Sequence, residues 1–299
     1  MHRKVVFSAH LCIFLPIFWS SPAAAADAEV SARLDATWLV TAAALVFLMQ
    51  IGFMLLEAGA VRTKNAVNVA QKNLLDFVFA VLAFAVVGFA LAFGTSAASL
   101  PVGAEARLFL LRDLAPEEIG FFVFQVMFCG TAATIVAGAV AERMRLNAYV
   151  ACSLVVAALI YPVFVHWTWG AALGPASGAW LANLGFVDFA GSTVVHATGA
   201  WVALAACLAL GPRAGRFDAS GAPVRIAGHS PVLSAAGALV LFVGWIGFNG
   251  GSTTAGTSAF AGIIANTVVA GAIGGLFPKV GWRAPGAVFG LMLVVFILS

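Results

Sequence analysis

Apolar runs separated by short polar stretches recur along the chain, at about 37–59, 74–94, 119–141, 147–166, 190–210, 232–249, 257–277 and 285–298. Most are close to the ~20 residues an α-helix needs to cross a bilayer. Nowhere do apolar and polar residues alternate at the period of a barrel strand. The pattern predicts an all-α polytopic membrane protein with eight membrane helices.

The N-terminal stretch has a different pattern. His2, Arg3 and Lys4 precede an apolar run from Val5 to Trp19, broken by Pro16, and small residues up to Ala26 precede Asp27. A basic start, a short apolar core and an A-x-A site predict a cleavable signal peptide at 1–26, with 27–299 as one membrane domain. An uncleaved anchor helix is the alternative. Cleavage places the mature N-terminus outside. The loops that would then face the cytoplasm hold ten basic residues: Arg62, Lys64, Lys72, Arg143, Arg145, Arg213, Arg216, Arg225, Lys279 and Arg283. The outer segments hold three, Arg33, Arg107 and Arg112. Positive charge collects on the inner side of membrane proteins, so the bias predicts a multi-pass protein of the inner (plasma) membrane.

Composition narrows the function classes. Of 299 residues, 63% are hydrophobic and 9% charged, against about 25% charged in soluble domains. A cytosolic enzyme and a disordered chain are excluded. The net charge of +3 is too small for a nucleic-acid footprint. Cys12, Cys129, Cys152 and Cys207 show no CxxC or CxxxH spacing, so neither a metal site nor a disulfide framework is expected. The 31 glycines suit close helix packing.

Polar groups inside a membrane are the default functional candidates. Glu57, Asp76 and Glu142 fall at predicted helix ends and are expected to be helix-end or interface charges rather than pathway residues. Asp188, just before the fifth helix, can cap exposed N–H groups there or meet a substrate. His196, eight residues further on, is either a packed neutral histidine or a functional one. His166, with Trp167 and Trp169, is expected to anchor the outer interface. The run from Gly244 to Gly256 is glycine-broken and hydroxyl-rich, a pattern suited to solute contacts or to a flexible turn. Ile51-Gly52-Phe53 and Ile246-Gly247-Phe248 lie near opposite ends of the first and sixth helices, as an inverted repeat would place them.

The run Asp188-Phe189-Ala190-Gly191-Ser192-Thr193-Val194-Val195-His196 resembles the signature of the ammonium transporter family (Amt/Mep/Rh). So do Glu57-Ala58-Gly59 with Arg62-Thr63-Lys64-Asn65, Gly138 through Arg143, and Gly244 through Ser252. The resemblance covers roughly residues 37–280. It implies a helical bundle of inverted-repeat architecture with eleven helices, of which about eight are present here, assembled as a homotrimer in the lipid bilayer.

By motif position, the resemblance implies that Trp169, Ser252 and Phe128 recruit ammonium outside the pore. Phe128 and Phe248 would form the gate, with Phe124 and Gln125 one turn away. His196 would be the first pore histidine and Asp188 the structural aspartate near the recruitment site. No catalytic residue, metal, cofactor or nucleic acid is implied. The implied function is ammonium and ammonia transport through a hydrophobic pore.

The second pore histidine and the tail that engages PII-type signal proteins lie, in the family, beyond the matching segment. A subunit ending at Ser299 is therefore expected to conduct poorly alone, as a fragment or a part of a larger product would. Two other classes compete with a channel. One is a membrane ammonium-sensing domain of a signalling protein; the other is a haem-b carrier using His166 and His196.

Overall fold

The computed structural model describes residues 22–96, 102–174 and 179–276, with side chains within 26–274. Long helices dominate: α1 (Pro22–Ala60), α2 (Thr63–Phe93), α3 (Pro116–Val140), α4 (Leu146–Leu173), α5 (Ser192–Leu210), α6 (Pro231–Gly251) and α7 (Ala259–Leu276). The first six are long and apolar enough to cross a membrane. Among the described residues there is no strand, only an isolated bridge between Phe217 and Pro223 in the α5–α6 loop. The expected signal peptide lies mostly outside the described residues, as does the apolar run at 285–298.

Three helices contain π turns: Phe84–Gly88 in α2, Val156–Ile160 in α4 and Ser192–Ala197 at the start of α5. Such turns rotate the residues beyond them relative to a regular helix and cluster at functional sites.

Helix boundaries correct the expectations from hydropathy. α2 begins at Thr63 rather than at 74, because its first three turns are amphipathic and bury Val69, Lys72 and Asn73. Lys72 is therefore a helix residue and not a loop residue. Its Nζ donates to the Met144 carbonyl at 2.7 Å, which offsets the loss of hydration. α1 likewise begins earlier, at Pro22 rather than at 37, whereas the third and fifth helices start within a few residues of the expected positions.

α3 sits at the centre, and every residue from Phe128 to Thr134 is buried. An aromatic seam joins it to α2 and α4. Phe84 packs against Phe122 at 6.2 Å and Tyr161 at 6.0 Å between ring centroids. α1 crosses α6 at glycines. A Cβ on Gly237 would lie 2.4 Å from the Leu56 nitrogen and 2.6 Å from the Gly52 oxygen. No side chain fits there, and the closeness lets two backbones gain packing that lipid cannot compete for.

At the end where α1 meets α2, Glu142 ties three connections together. Its carboxylate accepts from the Arg62 backbone (3.0 Å) and guanidinium (2.9 and 3.0 Å), from Asn65 (2.8 Å) and from Arg213 (3.4 Å). Burial alone would raise its pKa, but the hydrogen bonds from Arg62 and Asn65 hold it down at about 2. Glu142 thus lies at a helix end, just past Val140, with its carboxylate fully buried against its partners. The charge is tolerated because every lone pair has a donor.

Candidate functional site

The start of α5 is built around Asp188. Its Oδ1 accepts from the backbone nitrogens of Gly191 (2.7 Å) and Ser192 (3.0 Å), and its Oδ2 from those of Thr193 (2.8 Å) and Val194 (2.7 Å). These are the donors that a helix start leaves without partners, and the carboxylate also suits the positive helix end. The chain enters through Gly191 at φ 104°, a left-handed conformation that glycine adopts at little cost. A Cβ there would also press to 2.6 Å from Val195 Cγ2.

Asp188 also positions α4. The Trp169 indole Nε1 donates to the Asp188 carbonyl at 2.7 Å. This fixes the indole at the rim of a mouth of about 370 Å³, lined by Phe121, Phe124, Gln125, Phe128, Thr168, Trp169, Phe189, Ser252 and Thr254, among others. Trp169 therefore faces a cavity rather than serving only as an interfacial anchor. His166, expected to anchor with it, is fully buried, and its Nδ1 donates to the Ala92 carbonyl at 3.0 Å.

The floor of the mouth is aromatic. Phe128 of α3 stacks on Phe248 of α6 with ring centroids 4.1 Å apart and planes 14° from parallel. Phe124 lies 4.6 Å from Phe128, and the Trp169 ring meets Phe128 edge-on at 6.2 Å. Each of Phe124, Phe128 and Phe248 is about 1% exposed. Beyond Phe248 lies the half-buried His196 ring, 5.4 Å away between centroids. His196 sits in the opening π turn of α5, so it comes earlier in its helix than the two turns expected.

The polar atoms of the mouth are neutral. Ser252 Oγ donates to the Phe248 carbonyl at 2.7 Å, so its proton is committed and its lone pairs remain to accept. No charged side chain lines the mouth among the described residues. Aromatic faces with hydroxyl acceptors attract a small cation without binding it as tightly as a carboxylate would. A closed aromatic stack behind them makes passage of a bare charge costly.

A second polar group lies at the other end of the bundle. Asp76 and Lys72 have no exposed surface, and Glu57 is 8% exposed. Asp76 accepts from Tyr149 (2.5 Å) and Thr134 (2.9 Å), and Asn73 donates to Glu57 at 2.8 Å. Hydropathy placed Glu57 and Asp76 at interfaces. The structure buries both, because α2 starts early and partners arrive from α1, α3 and α4.

The structure thus brings Trp169, Ser252, Phe128, Phe248, Phe124, Gln125, His196 and Asp188 into one region. The sequence reading did not single out Phe121, Thr168, Phe189 and Thr254, which share the mouth. Phe189 and Thr254 lie inside the marked runs 188–196 and 244–256, whereas Phe121 and Thr168 have no signal beyond proximity to the aromatic motifs.

The model of the Ammonium Transporter Family matches residues 37–283. A Synechocystis protein provisionally named an ammonium transporter is 46% identical over 255 residues, covering 81% of this chain and 45% of its own length. Ammonium transporter Amt2 of Archaeoglobus fulgidus is 40% identical over 283 residues, covering 87% of this chain and 59% of its own. The chain spans about half the length of these curated relatives. Among solved structures, one named Sensor Amt Protein superimposes with a TM-score of 0.85 at 37% identity, covering 91% of this chain and 70% of that one. Candida albicans Mep2 gives 0.73 at 29% identity, covering 89% and 65%.

Proposed function

The chain belongs to the ammonium transporter family, and on that premise we propose that it recruits ammonium at the aromatic mouth and passes it inward as ammonia. The observation that carries this is the closed stack of Phe128 and Phe248, lying between the neutral mouth and His196.

Ammonium entering the mouth exchanges water for the faces of Trp169 and Phe128 and for the lone pairs of Ser252. Cation–π attraction compensates part of the lost hydration. Gln125 Oε1, buried without a donor in the lining of the mouth, can accept from the ion, but between the rings themselves no acceptor replaces the remaining water, so the charged form is disfavoured and loss of a proton to the water of the mouth is favoured. Neutral ammonia crosses when the rings part and meets the His196 imidazole, which can accept or donate a hydrogen bond in its neutral form. Potassium attracts to the same faces but has no proton to lose, and it stops at the stack. Asp188 holds Trp169 and the start of α5 in place.

The family also supports a homotrimer in the plasma membrane. The charge bias of the loops supports an outer N-terminus behind a signal peptide at 1–26. A sensor role is the second reading, supported by the likeness to the solved Sensor Amt Protein.

Titration of purified protein with ammonium, followed by tryptophan fluorescence, tests recruitment. We expect a saturable change that Trp169→Phe abolishes. No ammonium-dependent change at all would overturn the proposal. Flux into proteoliposomes, measured with this segment carried in a subunit of the family's full length, then separates the two roles, because a transporter moves ammonia and a sensor only binds ammonium.

A further inference from the structure

We propose that Asp35 and Trp38, one turn apart on α1, are positioning residues of the mouth: they hold both ends of the α6–α7 connection, residues 252–258, so that Ser252 and Thr254 face an arriving cation. Neither residue lines the mouth, and their role rests on the recruitment reading above.

Hydropathy starts the first membrane helix at 37, but α1 begins at Pro22, so Asp35 lies inside the helix. Residues three apart share a helix face, and both side chains meet the α6–α7 connection. Trp38 Nε1 donates to the Gly250 carbonyl at 3.2 Å, just before the connection. The Trp38 ring stacks on Phe260, just after it, with centroids 4.3 Å apart and planes 20° from parallel. Asp35 Oδ1 accepts from the Gly256 backbone nitrogen at 2.7 Å. Gly256 also lies close against α1, where a Cβ would come within 2.8 Å of the Leu34 carbonyl oxygen. Between these contacts stand Ser252 and Thr254, both in the lining of the mouth.

The connection has a physical reason to need holding. Thr254 has φ 52°, in the left-handed region that a β-branched residue adopts only at a cost. Such a conformation persists where the surroundings over-determine it. The bonds inside the turn are local. Thr254 N–H donates to the Gly251 carbonyl at 2.8 Å, and Thr253 Oγ1 lies 3.0 Å from the carbonyl oxygens of Gly250 and Ala255. Local bonds travel with the turn and do not fix where it stands relative to Trp169 and Phe128. Contacts from α1 do fix it, because α1 is itself anchored on α6: a Cβ on Gly247 would lie 2.5 Å from the Ala42 carbonyl oxygen. A carboxylate near the mouth could instead act through its charge, by attracting the cation from a distance. The two roles separate on the acceptor oxygen, which asparagine keeps, and the charge, which it loses.

The test compares Asp35→Ala, which removes the acceptor, with Asp35→Asn, both as purified protein in lipid nanodiscs. Hydrogen–deuterium exchange resolved to single amides is measured first, without ammonium. Asp35→Ala should speed exchange at Thr253 and Thr254 as well as Gly256 by about tenfold, and Asp35→Asn should stay within about twofold of the unaltered protein. Faster exchange at Gly256 alone, or at none of the three, overturns the proposal, because Ser252 and Thr254 are then held without Asp35. Trp38→Phe keeps the stack on Phe260 and loses the bond to Gly250. It should loosen Thr253 and Thr254 too, and unchanged exchange overturns the part assigned to Trp38. Should Asp35→Ala fail to insert, this variant carries the exchange test. Ammonium titration followed by tryptophan fluorescence then reads the consequence for the mouth. The half-saturating concentration should rise about tenfold in Asp35→Ala and stay within about twofold in Asp35→Asn. An equal rise in both means that Asp35 acts by its charge, and no rise in either means that the mouth does not depend on it; both results overturn the proposal. An unaltered protein that gives no response to ammonium removes the recruitment reading, while exchange still decides whether α1 holds Ser252 and Thr254 in place.

Discussion

Phe128 of α3 and Phe248 of α6 lie face to face with ring centroids 4.1 Å apart, closing the floor of the mouth against His196. Stacked rings contribute about 1 kcal/mol beyond their buried area. A double-mutant cycle with Phe128→Ala and Phe248→Ala should show a coupling of that size in thermal stability. In proteoliposomes each single substitution should lower discrimination of ammonium against potassium by about tenfold (about 1.4 kcal/mol). Unchanged selectivity in both variants would mean that the stack is packing and not a gate.

His196→Asp places a carboxylate behind the stack, where an arriving cation could pair with it. With this segment carried in a subunit of the family's full length, we expect potassium to compete with ammonium in reconstituted bilayers at normal levels of inserted protein. Currents with unaltered selectivity would remove His196 from the pathway.

Asp188→Ala removes the acceptor of four backbone N–H groups at the start of α5. The loss should be at least ~2 kcal/mol, since charged acceptors contribute about 1.5–3 kcal/mol per bond and such bonds are not additive. Less folded protein and a lower melting temperature in detergent are expected. Asp188→Asn should fall between the two, because its amide retains one acceptor oxygen. Equal stability of all three proteins would contradict the cap.

Glu142 predicts an acid limit. Its pKa is lowered from 4.5 to about 2. The stabilisation is therefore fully present above pH 4.5 and is lost as pH falls through the range from 4.5 to about 2. The whole effect is at most ~3 kcal/mol by linkage. Melting temperature measured against pH should fall steeply in that range for the unaltered protein and less steeply for Glu142→Gln, which starts from a lower value. Parallel curves would show that Glu142 does not set the limit.

Gly237→Ala should destabilise, because the added methyl meets backbone atoms of α1 and not a flexible side chain. Overpacking of this kind costs about 1–3 kcal/mol. Gly262→Ala in α7 is the control, since nothing lies within 4 Å of its Cβ position; it should be neutral or slightly stabilising. A melting temperature lowered equally by both would assign the effect to something other than the α1–α6 crossing.

Fold class, most of the membrane helices and the family are legible in the amino-acid sequence. These depend on hydropathy and on local motifs, and both are properties of contiguous residues. The run from Asp188 to His196 was legible in the same way, because a cap and the helix it starts are adjacent in sequence. What lay beyond local order was decided by the tertiary structure. Hydropathy places Glu57, Asp76 and Glu142 at helix ends or interfaces without saying which are buried, since it scores a charge without knowing its partners. The fold brings Tyr149, Thr134 and Asn73 to two of them, and Arg62, Asn65 and Arg213 to the third. Burial of a polar group is decided by whether donors and acceptors from distant segments arrive to replace water, and that pairing exists only once the helices have packed.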